Sequence, residues 1–199
     1  MPEKEHNILT KSKYRSAFSG SGMWRKTMLK KTSSLAVSAI IAAAYAALCL
    51  LLAPLSFAGL QVRVAEALCV LPFLFPQAVP GLTVGCLLAN IIGVSMGLSV
   101  PADVIFGTLA TLIASVATAK MPSRWLAPLP PVLCNALIVG IMLTVTLGGK
   151  DSAPLLYLYN ILSVGTGELI ACFGLGLPLL LLFEKNPRLH EIVKRYHNL

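Results

Sequence analysis

Between Leu35 and Phe183 lie 149 residues with only four basic side chains (Arg63, Lys120, Arg124, Lys150) and four acidic ones (Glu66, Asp103, Asp151, Glu168). A soluble domain has about a quarter of its residues charged to make a water-facing surface. This block cannot make one, so it must fold in lipid. Over the whole chain 12% of residues are charged and 56% hydrophobic. Of the 16 Lys and Arg, eight fall in residues 1–32 and four in 184–199, so the formal charge of +8 belongs almost wholly to the two ends. A nucleic-acid binder would set its cations along a folded face, and a soluble enzyme would need a polar exterior. The pattern excludes both and predicts an integral membrane protein with basic, water-facing tails.

A helix crossing a hydrocarbon core of about 30 Å needs roughly 20 mostly apolar residues. The block holds six such helices with short loops, or seven if they are tightly cut. Prolines and polar breaks favour six. They place spans at Leu35–Ala53, from near Val62 into the run Pro72, Pro76, Pro80, and at Gly81–Leu98, Pro101–Ala119, Pro130–Leu147 and Pro154–Phe183. The fold class expected is therefore all-α, a six-helix transmembrane bundle.

Lys and Arg collect on cytoplasmic loops. Six spans put both tails on one side, and both are basic. The loop with Lys120 and Arg124 falls on that side, and the neutral loop with Lys150 and Asp151 falls opposite. Both termini are thus expected in the cytoplasm. The chain divides into a basic tail over residues 1–33, a membrane domain over 34–183 and a basic tail over 184–199. Ser56-Phe57-Ala58 resembles a signal-peptide cleavage site, but the apolar stretch before it exceeds the usual 7–15 residues, and a retained first span is the reading adopted. The basic N-terminal tail either determines topology or also touches anionic lipid.

Ionisable groups inside spans are costly and mark sites, pairs or water-filled cavities. With the expected topology, Arg63, Glu66 and Asp103 lie at the outer ends of spans two and four. Tyr157 and Asn160 lie in the outer part of span six and Glu168 near its middle, while Asn90 and Asn135 fall near the middles of spans three and five. The set converges on a cavity open to the outside and closed below by apolar residues, as a binding site is and a pore is not. Blander readings stand beside this one. Arg63 and Glu66, three apart, can pair with each other. Asp103 suits a helix N-terminus. Asn90 and Asn135 can merely bond between helices. Glu168 has no cation within a turn, and Gly165 and Gly167 leave room beside it for a close neighbour or a ligand.

Span one carries small residues at four-residue spacing, Ala39, Ala43 and Ala47, which suit close helix packing inside the bundle or against another membrane protein. No G-x-x-x-x-G-K-[ST] phosphate loop occurs. The histidines (His6, His190, His197) all lie in the tails, and the five cysteines are scattered singly without a Cys-x-x-Cys, as small packing residues are. No serine sits in a recognisable nucleophile setting. Neither cofactor nor metal is implied, and no enzymatic activity.

The runs from Ala39 through Tyr45 to Leu48, from Leu60 through Arg63 and Glu66 to Leu68, and Phe75-Pro76-Gln77-Ala78-Val79-Pro80-Gly81-Leu82 resemble the QueT family. The stretches Gly85 to Asn90 and Asp103 to Leu112 add to the likeness, which covers roughly residues 34–183. The resemblance implies the substrate-binding (S) component of an energy-coupling factor transporter, a class of vitamin importers. That is a six-helix bundle in the bacterial plasma membrane, capturing solute from outside in company with a transmembrane T component and two cytoplasmic ATPases. The substrates implied are queuosine precursors, 7-cyano- and 7-aminomethyl-7-deazaguanine. Ala39, Ala43 and Ala47 would then face the T component.

A guanine-like edge has adjacent N–H donors that match the two oxygens of a carboxylate, and a carbonyl that accepts an N–H. Glu168 suits the donor edge, Asn160 or Asn135 the carbonyl, and Glu66 or Asp103 a cationic aminomethyl group. Tyr157 or Phe106 suits the base plane. Arg63 and Asn90 complete the expected set. Three alternatives remain at this point: an S component for another vitamin or purine-like solute, an intramembrane enzyme using Glu66 and Asp103 as acid and base, and an assembly protein whose polar groups only knit the bundle.

Overall fold

The computed structural model describes residues 32–52, 63–148 and 153–189, together with 191 and 193. The basic tail to residue 31, the Ser56-Phe57-Ala58 segment, the Lys150–Asp151 loop and the last six residues lie outside the described part. Within it the chain is helical, with no strand among the described residues.

Six helices follow in order, and a further helical stretch begins at residue 187. α1 is Thr32–Leu51, α2 is Val64–Phe73, α3 is Ala78–Ser95 and α4 is Pro101–Thr118. α5 runs through Leu129–Cys134, a π-turn over Asn135–Val139, and Gly140–Gly148. α6 runs through Pro154–Leu169, a π-turn over Ile170–Gly176, and Leu177–Lys185. Five of these, all but α2, are long and apolar enough to cross a membrane. α6 has 32 residues, about 48 Å at 1.5 Å per residue, so it tilts or projects beyond a core of about 30 Å.

The second of the expected spans takes another form. α2 is a 10-residue 3-10 helix, about 20 Å long at 2.0 Å per residue. It packs against α3, α4 and α6 and reaches α1 through Tyr45 and Glu66. Seven of its ten residues are buried, Glu66 among them. α2 is therefore the central element, wrapped by longer neighbours.

The packing is that of a protein in lipid. Leu88, Ile91, Ile105, Leu112, Leu133 and Leu162 point outward. Small and polar residues fill the interior, including Ala65, Ala78, Ala110, Asn90, Thr111 and Glu168. Lipid offers helices no hydrophobic drive to associate, so close backbone approach and interhelical hydrogen bonds must do it. Gly81 and Gly85 on α3 permit that approach. A Cβ built there would lie 2.6 Å from the Ser38 carbonyl oxygen and 2.7 Å from that of Ala42 on α1. Gly140 on α5 likewise meets Ile161 on α6, 2.8 Å from its Cα.

Neighbours joined by short turns run antiparallel. α3 ends on Gly97, whose φ of +70° suits glycine, and Leu98 N–H closes the turn on the Gly93 carbonyl at 2.8 Å. At the other end of the bundle, Thr118 donates to the Ala127 carbonyl at 3.2 Å. There Arg124 pairs with Glu184, so the Lys120–Arg124 turn and the end of α6 share one side. Ser38 near the start of α1 donates to the Gln77 carbonyl at 2.8 Å, placing the start of α1 on that side too. Trp125, more than half exposed with the Arg124 guanidinium 6.0 Å from its ring, sits where interfacial aromatics anchor helices.

Candidate functional site

The expected polar residues meet in two linked groups around α2. The first joins α2 to the α3–α4 hairpin. Arg63 Nη2 lies 3.7 Å from Asp103 Oδ1 and donates to Asn90 Oδ1 at 3.3 Å. Asn90 Nδ2 donates to the Asp103 carbonyl at 2.9 Å, and Ser99 donates to the other Asp103 oxygen. Asp103 sits in the first turn of α4, so the position favoured by the helix dipole also places it on Arg63. Gly107, one turn along, makes the space. A Cβ there would lie 3.1 Å from Asn90 Nδ2 and 3.6 Å from both Arg63 Nη1 and Asp103 Oδ1.

The second group lies deeper. Glu66, fully buried, accepts from Tyr45 on one oxygen and from Cys69 Sγ at 2.8 Å on the other. Glu168, also buried, accepts from Asn135 Nδ2 at 2.9 Å. Its second oxygen is 3.6 Å from Cys172 Sγ, which also lies 3.5 Å from the Glu66 carbonyl oxygen. Cys172 thus ties the two carboxylate-bearing helices together. The π-turns of α5 and α6 begin at Asn135 and two residues after Glu168, and such turns recur at functional sites. Gly165 admits the neighbour expected there, with Ala136 Cβ 3.3 Å from the Cβ position.

Arg63, Glu66, Asn90, Asp103, Asn135 and Glu168 are therefore buried together, from five helices. Asn160 and Tyr157 are not part of that contact set. Asn160 donates to Thr144 at 2.9 Å, eight residues from Glu168 and so about 12 Å along α6 toward the Arg63 end. Tyr157 is half-buried one turn beyond it. Phe106 lines an apolar groove of about 370 Å3 with Leu137, Ile141 and Val145, and all four of these side chains are exposed. Ala39, Ala43 and Ala47 form an exposed stripe on α1, whereas Ile41, Ala42, Tyr45 and Cys49 turn inward.

Five contributors went unread in the sequence: Tyr45, Ser99, Cys69, Cys86 and Cys172. A tyrosine in mid-span was the available signal, since a buried hydroxyl needs a partner. The cysteines looked like small packing residues, yet Cys69, Cys86 and Cys172 all make hydrogen bonds inside the cluster. Among the described residues no group of three His, Cys, Asp or Glu is placed to hold a metal ion.

Chemically, the cluster holds one cation and three acids, with Asp103 matched to Arg63. The partners found for Glu66 and Glu168 are neutral hydroxyl, thiol and amide groups, leaving carboxylate lone pairs for further donors. Four ionisable side chains in the interior of a lipid-facing bundle are costly to retain, which makes this cluster the candidate site.

Searches of curated proteins and of solved structures found no match. The family model described as QueT transporter matches residues 35–185, which takes in α1 to α6 apart from the first three residues of α1. This multi-pass membrane chain, with its buried carboxylates and amides, belongs to the QueT transporter family.

Proposed function

We propose that the chain is the S component of an energy-coupling factor importer. It captures 7-aminomethyl- or 7-cyano-7-deazaguanine from outside for uptake driven by a T component and two cytoplasmic ATPases. The observation that carries the reading is the Glu168–Asn135 pair at 2.9 Å in the bundle interior. A carboxylate beside an amide is complementary to a guanine-like edge, which has paired N–H donors next to a carbonyl. Glu168 takes the donor edge and Asn135 the carbonyl. Glu66 takes the second polar group of the ligand, and Arg63, Asp103 and Asn90 close the site. Asn160 and Tyr157 stand nearer its mouth.

Both tails lie in the cytoplasm of a bacterial cell, as the charge distribution favours, and the Arg63 end faces outward. Membership of a transporter family and a chain without a nucleotide motif support a division of labour in which this subunit recognises and its partners supply energy. The exposed Ala39, Ala43 and Ala47 support docking of the T component on that face, where small side chains permit close backbone approach.

Calorimetric titration of the detergent-purified chain with both deazaguanines, guanine and riboflavin tests the reading. One-to-one binding of a deazaguanine is expected, weakened about 10- to 100-fold by Glu168→Gln, the usual worth of a hydrogen bond to a charged group. Binding of riboflavin alone would move the substrate to another vitamin. No binding by folded protein would leave an assembly role whose polar groups only hold helices together.

A further inference from the structure

Each buried carboxylate in the centre of the bundle has a cysteine one turn further along its own helix. The spacing follows the helix type. In the 3-10 helix α2, with three residues per turn, Glu66 is served by Cys69 at i+3 through an Sγ–Oε2 contact of 2.8 Å. In α6, where the α-helix passes into a π-turn, Glu168 is served by Cys172 at i+4 at 3.6 Å. Each carboxylate also has one donor from another helix, Tyr45 from α1 and Asn135 from α5. Tyr45, Cys69 and Cys172 are all buried.

We infer that Tyr45, Cys69 and Cys172 are positioning residues, which fix the Glu66 and Glu168 carboxylates in the rotamers that receive the ligand. This rests on the solute-binding reading above. One donor on each oxygen removes the freedom of a carboxylate to rotate about its last torsion, and its unused lone pairs then face fixed directions. Pre-setting them lowers the ordering cost of binding. The thiol of Cys69 acts as a donor at its site, not merely as a filler of its volume.

Ligand affinity in Ala and Ser variants separates the two roles. If Cys69 only fills space, Cys69→Ala is mild and Cys69→Ser no better, because a buried hydroxyl is harder to accommodate than a methyl group. If it positions Glu66, Cys69→Ser keeps a donor and stays within about twofold of wild type, while Cys69→Ala weakens deazaguanine binding about fivefold, less than a full charged hydrogen bond because a thiol is a weak donor. The same order is expected for Cys172, and Tyr45→Phe costs about tenfold. A second readout needs no ligand: the infrared band of the Glu66 carboxyl, taken as wild type minus Glu66→Gln. It is expected to shift in Cys69→Ala and Tyr45→Phe and to stay in place in Cys69→Ser. An unmoved band in all three overturns the positioning role, as does a Ser variant no better than Ala in affinity. A shifted band in a protein that binds no deazaguanine keeps the positioning and removes only the substrate.

Discussion

Arg63 carries the sharpest energetic prediction. Its guanidinium and the Asp103 carboxylate are 5% and 2% exposed and 3.7 Å apart. At an effective dielectric of 20, two unit charges at that separation attract by about 4.5 kcal/mol. Much of this only offsets the cost of removing both ions from water, so the pair as a whole adds little net stability. Breaking it is another matter. Arg63→Met leaves Asp103 charged, buried and uncompensated, and withdraws the donor at 3.3 Å from Asn90 Oδ1. Loss of one partner from a buried pair costs about 3–5 kcal/mol, or roughly 10 °C in the melting temperature of a domain this size.

Asp103→Asn on top of Arg63→Met removes the stranded charge and keeps an acceptor for Ser99. The double variant should lose only about 1–2 kcal/mol, the worth of the unmet Asn90 oxygen. It therefore melts several degrees above the single. The protein supplies its own probe, because Cys49, Cys69, Cys86 and Cys172 are buried free thiols that a thiol-reactive fluorogenic dye reaches only on unfolding. A double variant no more stable than Arg63→Met would refute the reasoning, since charge would not then be what the partner supplies. So would a single variant that melts with the wild type.

Gly85→Val puts its Cβ 2.7 Å from the Ala42 carbonyl oxygen, so α1 and α3 must part. Yield of folded protein on size-exclusion chromatography should collapse, whereas Gly174→Ala, with nothing within 4 Å, should elute as wild type. Gly97→Ala sits at φ +70° and is expected to lower stability by about 1–2 kcal/mol in thermal melts without changing ligand affinity. Arg124→Ala breaks a pair whose side chains are 45% and 27% exposed, so its melting point should move by no more than the equivalent of about 1 kcal/mol, and less at high salt.

What the sequence made legible was whatever depends on composition and breakers. Pro101 and Pro154 open their helices where expected, because proline tolerates a helix start and little else. The convergence of Arg63, Glu66, Asn90, Asp103, Asn135 and Glu168 followed from the cost of polar groups in lipid, which leaves them only one another or a ligand. The donors that orient them were harder to see. Cysteine has the volume of a packing residue, and only the partner across the turn reveals it as a thiol donor. Ser99 lies in the α3–α4 turn, where a serine is unremarkable until Asp103 folds over it.

The form of α2 was hidden for a different reason. Hydropathy reads apolar length, and Val64–Phe73 with its flanks supplies it, but hydropathy does not distinguish a segment facing lipid from one buried by protein. The distinction lies in the other helices. A segment facing lipid must reach across the membrane and hide its charges, whereas one wrapped by four helices need do neither. Arg63 and Glu66 at its start find Asp103, Asn90 and Tyr45 because α1, α3 and α4 are already beside them. A tighter helix then sets Arg63, Glu66 and Cys69 in one row at three residues per turn, which links the buried Arg63–Asp103 group at the end of the bundle to the deeper carboxylates. An α-helix over the same residues would turn about 300° in three residues and spread that row around the axis. The 3-10 helix at the centre is thus the element on which the arrangement of the polar cluster depends, and the four longer helices around it make room for it.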